Sequence, residues 1–76
     1  MELYYFTNKE PDKSMESLGR VLSDSDIFIK IINFVKNKDP SGSIQSIERS
    51  KLSNEVHQYT ALSGDHIYSF FLYFDK

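Results

Sequence analysis

The stretch Asn54-Glu55-Val56-His57-Gln58-Tyr59-Thr60-Ala61-Leu62-Ser63-Gly64-Asp65-His66-Ile67-Tyr68-Ser69-Phe70-Phe71-Leu72-Tyr73-Phe74-Asp75 contains two apolar, aromatic-rich runs around a short polar break. Ser63-Gly64-Asp65 has turn chemistry, since Gly reaches the positive φ values that reversals use and Asp and Ser bond back to their own backbone. The run before it alternates, while the run after it is apolar almost throughout, as in a central strand. This is a β-hairpin. A three-residue loop at 63–65 predicts pairs whose numbers sum to 128, so Thr60 meets Tyr68, Gln58 meets Phe70 and Val56 meets Leu72 on one face. His57 with Phe71, Tyr59 with Ser69, Ala61 with Ile67 and Glu55 with Tyr73 then form the other.

Upstream, Glu2 to Thr7 is apolar on both faces and predicts a first strand, followed by turn residues Asn8-Lys9-Glu10-Pro11-Asp12. Met15, Leu18 and Leu22 recur at i, i+3 and i+7, which predicts a short helix with a narrow apolar stripe, interrupted by Gly19. Ser23-Asp24-Ser25-Asp26 has the form of a capping box. Behind it Ile27, Phe28, Ile31, Ile32 and Val35 share one side of a 3.6-residue period, with Lys36 and Lys38 complementing the negative end of the dipole and Pro40 enforcing a stop. Residues 43–52 fit neither period and are assigned a short edge strand. The expected fold is therefore α+β, β-α-α-β-β-β: one domain over residues 1–76, with a mainly antiparallel three- or four-stranded sheet and both helices on one face.

Composition narrows the function. Seventy-six residues carry nine Lys and Arg against eleven Asp and Glu, a net charge of −2, with no basic stripe; this disfavours duplex nucleic acid, whose affinity comes from neutralised phosphates. The absence of Cys excludes disulfides and thiolate metal sites and fits a cytoplasmic location. No run is long enough for a membrane helix, and the N-terminal apolar run has Glu2 where a signal peptide has Lys or Arg.

Candidate chemistry is sparse. His57 and His66 are expected on opposite faces of the hairpin, which separates them as an acid–base pair. Asp24-Ser25-Asp26 begins like a cation loop but continues Ile27-Phe28-Ile29, so helix capping accounts for it and no metal site is expected. No nucleophile–base motif or phosphate loop is found, and neither catalytic residues nor cofactors are assigned. Five Tyr and six Phe are generous for a domain this thin, and two helices cover only one side of its sheet. The face bearing Tyr59, Phe71 and Tyr73, with His57 beside them, is expected to be the more exposed one and to bind a partner. Tyr buries a ring while leaving its hydroxyl wet, as interfaces require.

Leu52 to Asp75, through Val56-His57-Gln58-Tyr59, Gly64 and Ile67-Tyr68-Ser69-Phe70-Phe71-Leu72-Tyr73-Phe74, resembles the closing strands of RelE-type toxins. That resemblance implies a strand, two helices and a sheet, and a ribonuclease activity. Those toxins are basic along these strands, whereas this chain is acidic and has Gln58 and Ser69 at the inward polar positions. The expected function is a non-enzymatic protein-binding module, an inhibitor, antitoxin or phage-type counter-defence factor. The alternatives are a RelE-like ribonuclease or single-stranded RNA binder, with Arg49 and Lys51 as the nearby cations, and a homodimer hiding its own aromatic face.

Overall fold

The structure is a computed structural model that describes residues 1–9 and 12–74, and side chains for 1–7 and 14–74. Its elements are β1 Glu2–Lys9, β2 Asp12–Arg20, α1 Asp24–Lys38, β3 Ile44–Lys51, β4 Val56–Ser63 and β5 His66–Tyr73. All strands join one sheet in the order β2-β1-β5-β4-β3, and every neighbouring pair is antiparallel. The fold is α+β, but β-β-α-β-β-β with five strands and one helix, which corrects the expected two-helix arrangement.

The first expected helix is strand β2. Met15 and Leu18, three apart, are one helical turn in an i, i+3 reading; on a strand they point to opposite faces. Met15 pairs with Phe6, whereas Leu18 packs against the core beneath α1. Gly19 sits at φ +99°, outside helical geometry, where the register shifts between Leu3 and Tyr4, and Leu22 is 81% exposed rather than part of a stripe. The tip of the turn expected over Asn8 to Asp12, Glu10 and Pro11, lies outside the described residues, as does Asp75.

The second expected helix is α1. Ser23 caps it, its hydroxyl accepting from the Asp26 N–H at 3.3 Å, while the Asp26 carboxylate accepts from the Leu22 N–H at 3.0 Å. Ile27, Ile31 and Val35 form its buried edge. They meet Leu3 of β1, Tyr59 and Ala61 of β4, and Phe70 and Leu72 of β5 in one core, with Val21 and the partly buried Tyr5, Leu18, Phe34, Ile44, Ile47 and Tyr68 around it.

Edge strand β3 spans eight residues, and its sequence fits neither period for a local reason. Its pairing with β4 shifts between Ile44 and Ser46, and this bulge lets Ile44 and Ile47, three apart, pack on the same core.

The hairpin differs from expectation by one residue. Ser63 pairs with His66, so the loop is Gly64-Asp65, with Gly64 at φ +60° in the first central position, as a type II′ turn requires. Paired numbers sum to 129, and a slip of one transfers β5 to the other face relative to β4.

Candidate interaction face

The packing of α1 divides the sheet. Phe28 meets Tyr59 edge-on at 6.1 Å, and Phe34 meets Tyr5 at 4.4 Å and Phe70 at 5.6 Å, which fixes the side of the sheet that the helix covers. Alternation along the strands then places Tyr4 and Phe6 of β1 and Phe71 and Tyr73 of β5 on the opposite side. No described element lies over that side.

These four rings make a continuous group. Tyr4 stands opposite Phe71 and Glu2 opposite Tyr73 across β1 and β5, which places the rings on the central strand β5 and its neighbour β1. Tyr4 packs edge-on against Tyr73 at 5.4 Å and 87°, and Phe6 against Phe71 at 5.6 Å and 75°. Both are T-shaped contacts, in which the positive edge of one ring meets the negative face of the other. The Tyr4 hydroxyl donates to Glu2 Oε2 at 3.0 Å, so the polar tip is held at the margin. Tyr73 is 38% exposed, Met15 43% and Ile67 68%, while Tyr4, Phe6 and Phe71 are half-buried. Beyond the rings the face is mixed: on β4 Val56 lies beside Tyr73, Gln58 beside Phe71, Thr60 beside Ser69 and Leu62 beside Ile67, followed by the polar Ser50 and Glu48 on β3.

The four residues expected to bind a partner do not gather on one face. Phe71 and Tyr73 are in the exposed ring group. Tyr59 pairs with Phe70 and is 2% exposed beneath Phe28, so its ring is interior. His57 is on the same covered side, half-buried, its ring edge against Phe74 at 4.7 Å and its Nδ1 buried without a hydrogen-bond partner. His57 and His66 share this side rather than opposing ones. They stand six residues apart along the ladder, since His57 faces Leu72 and His66 begins β5; that is about 20 Å in a strand, too far for joint acid–base work.

Tyr4 and Phe6 join the site without having been singled out. The signal was the unbroken Leu3-Tyr4-Tyr5-Phe6 run, which shows a strand loaded on both faces but does not say which strand it lies beside. Arg49 and Lys51 pair with Tyr59 and His57 on the helix-covered side, away from the exposed rings. Among the described residues no group of three or more His, Asp or Glu is arranged to hold a metal ion, and no helix is long and apolar enough to cross a membrane. Comparison with protein-family models, curated proteins and solved structures finds no match to this chain.

Proposed function

We propose that this chain is a non-enzymatic binding module that inhibits or regulates a partner protein, which it holds against the uncovered face of its sheet. The observation behind this reading is the ring group Tyr4, Phe6, Phe71 and Tyr73 at the middle of that face. Five strands about 4.8 Å apart and eight residues long make a plate of roughly 600 Å². A specific protein interface takes about 800 Å² from each partner, so the plate supplies most of one side. An apolar centre with a hydroxyl and amide rim also follows the anatomy of such interfaces. The complementary patch is apolar at its centre and carries amide or basic groups where it meets Glu2 and Glu48.

Stacking of single-stranded RNA on the same rings is the competing use, because aromatics on central strands can serve as base platforms. The charge distribution favours protein over RNA. Glu2 and Glu48 are on the ring side, where Arg20 stands opposite Glu2 across β1 and β2, and Arg49 and Lys51 are on the other.

The test is affinity capture from the native host with the wild-type chain and with Phe71→Ser/Tyr73→Ser as baits, folding checked by circular dichroism. A protein held by the first bait and released by the folded second bait supports the reading. Equal capture by both refutes it, and so does a ring-dependent, salt-sensitive gain of RNA alone.

A further inference from the structure

On the helix-covered side, at the end of the sheet opposite Glu2, the last turn of α1 leaves a cleft of about 350 Å³. It is lined by Tyr5 and Thr7 of β1, Lys38 of α1, and His66, Ile67 and Tyr68 of β5. The placement follows from strand alternation: Tyr5 and Thr7 are two apart in β1, His66 and Tyr68 two apart in β5, and each pair shares the side that α1 covers. Lys38 comes from the end of the helix that terminates over them.

We propose that this cleft is a binding site for a small oxyanion, a phosphate monoester or a carboxylate, independent of the aromatic face on the other side. The lining supplies five side chains able to donate a hydrogen bond: an ammonium, an imidazole, two phenols and a hydroxyl. None of the six lining residues is acidic. A chain of ring contacts, partly through Phe34 outside the lining, links the two basic groups of the cleft. Lys38 Nζ stands 5.3 Å over the Phe34 ring, Phe34 is 4.4 Å from Tyr5, Tyr5 is 6.3 Å from Tyr68, and Tyr68 is 6.3 Å from His66. An ammonium held by a ring face has fewer positions to sample, so less freedom is lost when an anion arrives.

Tyr68 suits a donor role. Desolvation first, then the fields of Asp39 and Tyr5, raise its pKa, so its phenol keeps its proton and offers O–H to an incoming oxygen. Glu16 stands opposite Tyr5 across β1 and β2 on the same side of the sheet. Asp39 is the opposing charge whose field reaches Tyr68. It lines the neighbouring cavity, with Ile32, Val35 and Ile44, rather than this cleft, so its repulsion weakens an anion here without blocking the site. A ligand with an oxyanion at Lys38 and a planar body along the rings of Tyr5 and Tyr68 fits both the charge and the shape of the cleft.

Titration of the ¹⁵N-labelled chain by NMR decides it, with inorganic phosphate, phenyl phosphate, acetate and benzoate as probes and sodium chloride at matched ionic strength as control. Saturable shifts confined to Thr7, Lys38, His66 and Tyr68 are expected with at least one oxyanion, tighter for the phenyl-bearing member of its pair. The phosphate and carboxylate arms identify which headgroup the cleft takes. Lys38→Met should weaken that binding about tenfold or more, as loss of a charged hydrogen-bond donor does. Tyr68→Phe keeps the ring and should weaken it less, which supplies a second reading if the Lys38 variant misfolds. Linear shifts matched by chloride, or saturable shifts unaffected by either substitution, overturn the proposal.

Discussion

Tyr59 and Phe70 stand directly opposite each other on β4 and β5, and both rings are buried beneath α1. Phe71 and Tyr73, the next aromatics along β5, therefore lie on the other side of the sheet. This makes Tyr59 and Tyr73, the same residue type on adjacent strands, a matched pair for mutation. Tyr59→Ala removes a ring from a closed core and should destabilise the fold by about 3–5 kcal/mol, the range for deleting a large buried ring. Tyr73→Ala should lower stability by no more than about 1 kcal/mol, because its ring is already partly in water. Urea unfolding of the two variants measures the difference. Equal losses would mean that Tyr73 is as structural as Tyr59 and would remove the basis for an interaction face.

How much of this was legible in the sequence depended on whether the local period survived. Helix α1 was readable because Ser23, the Ile27, Ile31 and Val35 edge, the terminal lysines and Pro40 all agree. The two β-bulges were not readable. An extra residue at Gln45 in β3 brings Ile44 and Ile47, three apart, to one face, and an extra residue at Leu18 in β2 shifts the pairing with β1 beside Gly19. In β2 Met15 and Leu18 have the spacing of a helical turn but stand on opposite faces of a strand; in β3 the spacing of Ile44 and Ile47 matches no period. The hairpin was legible as a hairpin, yet its loop length decided which rings share a face. Phe71 and Tyr73 remain together under either register because they lie on one strand. Tyr59 and His57 part from them because they lie on another.

Gly64 sets that register, and its role is conformational. At φ +60° it occupies backbone space that other L residues reach only at a cost, yet no atom lies within 4 Å of where a Cβ would stand. Gly64→Ala should therefore cost about 1–2 kcal/mol through backbone strain alone. Substituting D-alanine, whose preferred φ is positive, should restore stability to the glycine level or above it. Gly42 is the contrasting case, where a Cβ would overlap the Asp39 carboxylate and sit 2.7 Å from Ser63 Oγ. If L- and D-alanine at position 64 melt at the same temperature, the turn does not hold its glycine for φ.

The start of α1 allows a similar internal control. Ser23 accepts from the Asp26 N–H, whereas Ser25, one turn position inside the helix, is exposed and makes no comparable capping contact in this geometry. Ser23→Ala should reduce stability by about 1 kcal/mol. Ser25→Ala should be neutral or slightly stabilising, since Ala is the better helix former. Thermal melts of the two variants separate a cap from a general serine effect, and a larger loss for Ser25→Ala would contradict the capping assignment.

Tyr68 gives the fold a pH dependence in the alkaline range. Its folded-state pKa lies above the ordinary phenol value of about 10, chiefly through desolvation and secondarily through Asp39 and Tyr5. A raised pKa means that folding favours the neutral phenol. The contribution is full below the unfolded value and is lost as the pH rises through the folded one, so the part of the stability that Tyr68 supplies should be lost above pH 10. Tyr68→Phe cannot ionise at this position and should reduce that alkaline loss while leaving the neutral-pH melt nearly unchanged. Asp39→Asn removes one of the fields and should bring ionisation of Tyr68 to lower pH. Absorbance at the phenolate band follows both effects, with the Tyr68→Phe difference spectrum isolating the one phenol. An alkaline titration that keeps its shape in both variants would show that burial at the cleft does not hold the Tyr68 proton.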